Sequence, residues 1–261
     1  MLKSIIIDIQ KYINWINEIK NRPDLADFLL KEREMQLKKL ATAITLLFAV
    51  TNVSAETIED GRIWLNLNAQ GAIGDTNFNW YAELQPRWRE EGDHFDQLII
   101  RPALFYKLDK KSSVWLGYAH VTNHPAGKPT REENRLWQQF TYDFDKIGSV
   151  AIQSRTRLEQ RRLEDASDTE HRLRQMIKLS MPLSVNPNLS AVASDEYFIK
   201  LNNTDWGGDS GFDQNRLFLG LGYKLSDHAK LEAGYLNQFV NGTGKVDRMN
   251  HVISTTVSYN F

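Results

Sequence analysis

Ionised residues recur at alternate positions around the middle of the chain. Gln153, Arg155, Arg157, Glu159 and Arg161 share one parity, and so do Arg172, Arg174 and Lys178 a little further on. Side chains alternate across a β-strand, so each run puts its charges on one face. The same rule places Glu83 with Arg87, then Arg101, Arg135, Glu196, Arg216 and Glu232, on the charged faces of their own segments. Guanidinium and carboxylate groups on facing strands have two uses. They can line a polar path for small solutes, or they can pair into an ion ladder that closes it.

A different chemistry is suggested by Tyr118-Ala119-His120-Val121-Thr122-Asn123. His120 and Thr122 fall on one face, a base beside a hydroxyl. A nucleophile needs such a base and a third group to orient it, and Asn134 or Glu133 are the candidates. Hydrolysis at this pair is a minor alternative to a polar histidine at the rim. The stretch from Asn203 to Asp213 is acidic and glycine-rich, the kind of oxygen-bearing turn that calcium takes. Its spacing does not fit the twelve-residue calcium loop, so an ordinary solvated loop is the stronger reading. Trp206 within it could stack on sugar or lipid. The six histidines are scattered with no pair at helical metal spacing, and cysteine is absent, so the sequence implies no metal, cofactor or thiol chemistry.

The elements that must carry these residues are strands. Eleven segments read as such, at 61–71, 77–89, 96–108, 112–122, 132–144, 148–163, 169–182, 188–201, 212–225, 229–240 and 250–261. Each is near the length of a tilted membrane strand. Opposite each charged face lies an apolar one, for instance Leu136, Phe140, Tyr142 and Phe144 against Glu133, Arg135, Trp137 and Gln139. Short polar turns, such as Asp145-Lys146-Ile147-Gly148, alternate with longer loops, such as Asn123 to Glu132. Single-chain outer-membrane barrels have this asymmetry and normally an even strand number. The expectation is therefore an all-β antiparallel transmembrane barrel of ten to twelve strands, with twelve favoured and an extra strand sought near Ile58–Gly61. Trp64, Trp80, Trp88, Trp115, Tyr106, Tyr142, Tyr223, Tyr259 and Phe261 lie mostly near strand ends, where several would form interfacial girdles.

Ahead of the strands, Gln36-Leu37-Lys38-Lys39 precedes the apolar run Leu40–Val50, and Val53-Ser54-Ala55 supplies small residues. These are the parts of a secretory signal peptide over 35–55, cleaved after Ala55. The run is shorter than the about 20 residues a spanning helix requires. Residues 1–34 read as a mis-called or helical N-terminal extension, and 56–261 as the barrel. After residue 55 the chain holds 24 basic and 27 acidic residues, so no basic excess argues for nucleic acid. With charged residues on regular alternate positions, a lipid-facing placement would cost about 2–4 kcal/mol per arginine at mid-membrane depth. The arginines must face an enclosed interior.

Several ordered motifs then become legible. Glu133-Asn134-Arg135-Leu136-Trp137-Gln138-Gln139-Phe140, Arg155-Thr156-Arg157-Leu158-Glu159-Gln160-Arg161, Ser194-Asp195-Glu196-Tyr197-Phe198, Phe212-Asp213-Gln214-Asn215-Arg216-Leu217-Phe218 and Gly234-Tyr235-Leu236-Asn237-Gln238 resemble a family of Gram-negative outer-membrane barrels classed as a domain of unknown function. The resemblance covers nearly all of 60–261. It implies the barrel and its location and brings no activity. The strand ending in Phe261 resembles the sorting signal read by the barrel-assembly machinery. His120 and Thr122 look a little like the His-x-Ser-Asn run of outer-membrane phospholipase A, with Thr122 in place of the serine.

The function expected is a non-enzymatic outer-membrane barrel, a small-solute pore with an Arg/Glu-lined lumen. A closed structural or receptor barrel with ligand-binding loops is the alternative, and a lipid hydrolase at His120/Thr122 a further one. Expected partners are outer-membrane lipid, the assembly machinery and a small solute, with no nucleic acid.

Overall fold

The computed structural model of the chain describes residues 57–242 and 246–261. The expected extension (1–34) and signal peptide (35–55) lie outside the described residues. The strands are β1 (Thr57–Ala72), β2 (Phe78–Arg89), β3 (His94–Lys107), β4 (Ser112–Asn123), β5 (Arg131–Asp143) and β6 (Ala151–Leu163). They continue as β7 (Thr169–Leu183), β8 (Asn186–Lys200), β9 (Gly211–Lys224), β10 (Ala229–Val240) and β11 (Asp247–Asn260). Consecutive strands pair in an antiparallel meander, and the sheet closes on itself.

Eleven strands fall inside the expected range, but the preference for twelve is corrected. Ile58–Gly61 is the beginning of β1, not a separate strand. In a meander with an odd count, the first and last strands run the same way, so closure needs a parallel seam. β1 and β11 form that seam in register from Thr57↔Asp247 to Gln70↔Asn260. Parallel pairing satisfies both edges and leaves no open strand to face hydrocarbon. The even-number expectation holds only where the seam is antiparallel.

Hydrophobic side chains stand outward. Leu116, Leu221 and Ile253 are 56%, 50% and 59% exposed. The opposite parity points inward, and on β6 and β7 it carries buried charge at Arg157, Glu159, Arg172 and Arg174, which suits lipid outside and a polar interior. Connections at one end, the turn end, run from two to seven residues and at the other, the loop end, from four to ten, the ten-residue one following β8. At the turn end Phe78 packs on Tyr106, Tyr142 on Phe144, and Phe261 on both Trp80 and Tyr259, all with centroids within 5.4 Å. The Phe261 amide donates to Gln70 O at 2.9 Å. Trp64 and Trp115, girdle candidates by sequence, are corrected: both point inside. Trp64 shares the parity of Arg62, Trp115 shares that of the buried Ala119 and Val121, and Trp115 stacks on Phe105 at 3.9 Å.

The interior is not uniformly polar. Ile99, Ala103, Ala119, Val121 and Trp137, from β3, β4 and β5, make a buried apolar wedge against one wall. The indole of Trp137 lies directly over Gly117 of β4, where any Cβ would collide with the ring. Gly220 of β9 and Gly234 of β10 face each other in register, and a Cβ on either would collide with the other strand's backbone. Glycine there serves close approach between strands.

Candidate functional site

Beside the apolar wedge, the interior is a network of arginines and carboxylates. Glu159 of β6 is fully buried. Its Oε1 accepts from Arg174 Nη1 at 2.6 Å and its Oε2 from Arg172 Nη2 at 2.7 Å, both on β7. Arg174 also donates to Glu196 Oε1 on β8 at 2.8 Å, and Arg155 of β6 reaches the same oxygen at 2.7 Å across the intervening β7. Arg172 continues to Asp213 of β9 at 3.0 Å. Near the loop end Glu133 accepts from Arg135 at 2.7 Å and Arg161 at 2.5 Å, and Arg161 also pairs with Glu170. Glu83 holds Arg101 at 2.6 Å. Towards the turn end Glu232 of β10 binds Lys178 of β7 at 2.7 Å. Two charges removed from water are stabilised only when well paired and hydrogen-bonded, and the shared oxygens at Glu159 and Glu196 meet that condition.

A second relay uses aromatic faces. Arg87 of β2 lies 3.8 Å from the Trp64 ring centroid of β1. Arg216 of β9 approaches the same indole at 4.9 Å and the Phe198 ring of β8 at 4.7 Å. Arg174 covers Phe198 at 4.5 Å. From β2 through β1, β9 and β8 to β7, guanidiniums and rings touch in sequence across the interior. A guanidinium over a ring gains about 0.5–2 kcal/mol, more when water is excluded. Arg157 stacks separately on Trp137 at 4.1 Å and donates to Gln139 Oε1.

Two cavities adjoin this layer. The loop-side chamber, about 300 Å³, is lined by side chains of nine strands, including Arg87, Arg101, Arg135, Arg161, Arg172, Arg174 and Arg216. A smaller cavity of about 130 Å³ at mid-height is lined by Glu83, Arg87, Arg101, Arg155, Arg174, Glu196 and Arg216. Trp64, Arg87, Arg101, Arg174 and Arg216 border both. Of the thirteen expected lumen residues, Glu83, Arg87, Arg101, Arg135, Arg157, Glu159, Arg172, Arg174 and Glu196 are buried, and Arg155, Arg161, Arg216 and Glu232 half-buried. Glu232 stands apart, with Lys178 and Lys230.

His120 and Thr122 are on the outer wall, where their parity with Leu116 puts them. His120 Nδ1 is 3.0 Å from Asn134 Oδ1, and Tyr118 donates to that same oxygen. His120 Nε2 is 2.9 Å from Glu132 Oε2, and Thr122 Oγ1 donates to that oxygen at 2.9 Å. The structure therefore brings the base, the hydroxyl and one of the two suggested orienters together. Glu133, the other, points inward to Arg135 and Arg161. The hydroxyl hydrogen-bonds to Glu132, not to the imidazole.

The loop after β8 is built on itself. Asp205 accepts from the Ser167 amide and hydroxyl, which hold its carboxyl below the usual range. The Asp205 amide donates to Asp168 at 2.9 Å. Among the described residues no group of three acidic or histidine side chains is placed to hold a metal. Trp206 turns toward the barrel, with Arg161 5.1 Å from its ring.

Comparison with known proteins fixes the lineage. The family model described as "Protein of unknown function (DUF2490)" matches residues 61–250. The chain belongs to this family. An uncharacterized protein of Methylorubrum extorquens is 34% identical over 216 residues, covering 82% of this chain and 94% of the relative. The outer membrane protein OmpT of Vibrio cholerae is 15% identical with TM-score 0.33, covering 68% of this chain and 60% of OmpT. Its loop L8 deletion mutant gives 13% and 0.35, over 62% and 56%.

Sequence reading of this DUF2490 barrel missed Asp213 as an interior partner. The β8–β9 register shifts at Phe198/Ile199, pairing Phe198 with Gln214 and Ile199 with Phe212. Asp213 is the extra residue of a bulge, so Asp213 and Gln214 are both buried. Simple alternation cannot place two successive residues inside.

Proposed function

We propose that the protein is an outer-membrane barrel closed at its waist, presenting a charged chamber toward its long loops, and so acts as a receptor or structural barrel more than a free-diffusion pore. The observation that carries this reading is the cross-strand layer of Arg155, Arg174, Glu159 and Glu196 with Trp64, Arg216 and Phe198, whose side chains join across the interior and border two small cavities. Barrels with open aqueous channels are generally larger, at about 16–18 strands. The short turns would face the periplasm and the long loops the exterior, as in outer-membrane barrels generally. Lipid would contact the outward apolar band, and the β11 edge up to Phe261 would engage the assembly machinery. Planar-bilayer recording tests the closure. Silent bilayers after verified insertion support it, and a steady ohmic current refutes it in favour of the small-solute pore.

A second reading rests on the His120–Asn134 contact. Lipid hydrolysis there requires the Thr122 hydroxyl to swing from Glu132 to His120 Nε2. With Glu132 released, the imidazole would take the hydroxyl proton as Thr122 attacks the ester carbonyl and return it to the departing alcohol, leaving an acyl-threonine that water then cleaves. Phospholipid hydrolysis by the wild type and by His120→Ala decides this, and equal rates end it.

A further inference from the structure

We infer that the loop-side chamber is a binding site for a compact oxyanion, a phosphate or a phosphomonoester. The inference deepens the closed-waist reading and rests on it, because a chamber with a floor retains what a through-channel would pass on. Of the seventeen side chains lining the chamber, nine are arginine and two are aspartate. Both aspartates are already engaged, Asp96 with Arg62 at 2.8 Å and Asp213 with Arg172 at 3.0 Å. Arg87 and Arg216 have no carboxylate within ion-pair distance among the described residues. Arg87 is 8% exposed, and its terminal nitrogens donate only to the neutral amide oxygens of Gln85 and Gln97, at 2.7 and 2.9 Å. The Nε of Arg87 and that of Arg216 are buried without a partner.

These two cations also approach the same indole, Trp64, at 3.8 and 4.9 Å. Like charges brought together away from bulk water repel strongly, and an anion between them removes that repulsion. The guanidinium fork matches the spacing of two oxygens on phosphorus, so arginine is the side chain best shaped for this ligand. A volume of about 300 Å³ corresponds to roughly ten water molecules at about 30 Å³ each. That accommodates a phosphate or a small phosphomonoester.

The test uses the full chain folded in detergent, with inorganic phosphate and glycerol phosphate as separate calorimetric titrants at constant ionic strength and chloride as control. Saturable binding of phosphate alone identifies a free-anion site, and preference for glycerol phosphate identifies a phosphomonoester site. Hydrogen bonds to a charged group are roughly twice as strong as neutral ones. Arg216→Gln or Arg87→Gln should therefore weaken binding by roughly tenfold or more. Absence of saturable heat with both titrants, or unchanged affinity in the glutamine variants, overturns the site. Should those variants fail to fold, Arg216→Lys keeps the charge and loses the fork, and unchanged affinity in it has the same force. Bilayer recording on the same preparation separates the two claims. Current together with saturable binding refutes the closed waist and keeps the site, whereas silence without binding refutes the site alone.

Discussion

Glu159→Gln removes one negative charge and almost no volume from a fully buried point of the ion network. Glu159 is 0% exposed and takes hydrogen bonds from Arg172 at 2.7 Å and Arg174 at 2.6 Å, with Arg157 at 3.8 Å. Glutamine retains one acceptor oxygen but no charge. Arg172 keeps Asp213 and Arg174 keeps Glu196, while Arg157 is left with the neutral Gln139. Breaking a buried pair from one side costs about 3–5 kcal/mol, because the remaining charge stays desolvated. That corresponds to roughly 10²–10⁴-fold in the folding equilibrium at 1.36 kcal/mol per decade. Reversible urea unfolding in liposomes, followed by tryptophan emission, measures the change. Asp227→Asn in the turn between β9 and β10 is the control. Its partner Lys224 has a 54% exposed side chain, and such surface pairs contribute little to stability. If Glu159→Gln costs no more than the control, the interior is effectively as wet as the surface and the closed waist has no electrostatic basis.

Three other outcomes follow from the same geometry. Leu116→Arg, on the outward face of β4 at 56% exposure, should lower stability in bilayers by about 2–4 kcal/mol if that position is near the midplane, and the urea assay reads it directly. The chain has no cysteine, so an Ile63→Cys/Ile253→Cys pair, in register across the parallel seam, should form a disulfide visible by gel shift. Ile63→Cys/Ser254→Cys should not, and failure of the first pair would mean that another strand intervenes. Asp205 is held below its ordinary value by Ser167, so its contribution to loop order is complete above the unfolded carboxylate value of about 3.9 and is lost as pH falls further. Protease sensitivity of the 201–210 loop should rise on acidification, and Asp205→Asn should be equally sensitive at neutral pH.

The charged and apolar faces were legible because a strand has period two. Once Arg155, Arg157, Glu159 and Arg161 are seen at alternate positions, their common face follows without any tertiary information. The likeness of the motif set to a barrel family was legible for the same reason, since runs such as Glu133 to Phe140 are local. His120 and Thr122 could be assigned to one face of β4, and Asn134 could be suggested as a partner. Which of Asn134 and Glu133 meets the imidazole depended on the β4–β5 register, which sets His120 opposite Asn134. Trp64 and Trp115 misled because proximity to a strand end says nothing about the direction of a side chain.

What the sequence by itself determined was the alternation of faces and, through it, a closed sheet with ionised groups turned away from hydrocarbon. The tertiary structure decided the strand count, the parallel seam, the Asp213 bulge, and which arginine shares which carboxylate. The physical reason is range. Facing is a property of neighbouring residues, whereas Arg155 meeting Glu196 over β7, or Arg216 meeting Trp64 over β10 and β11, is fixed by barrel curvature and closure, to which no single stretch of chain is sensitive.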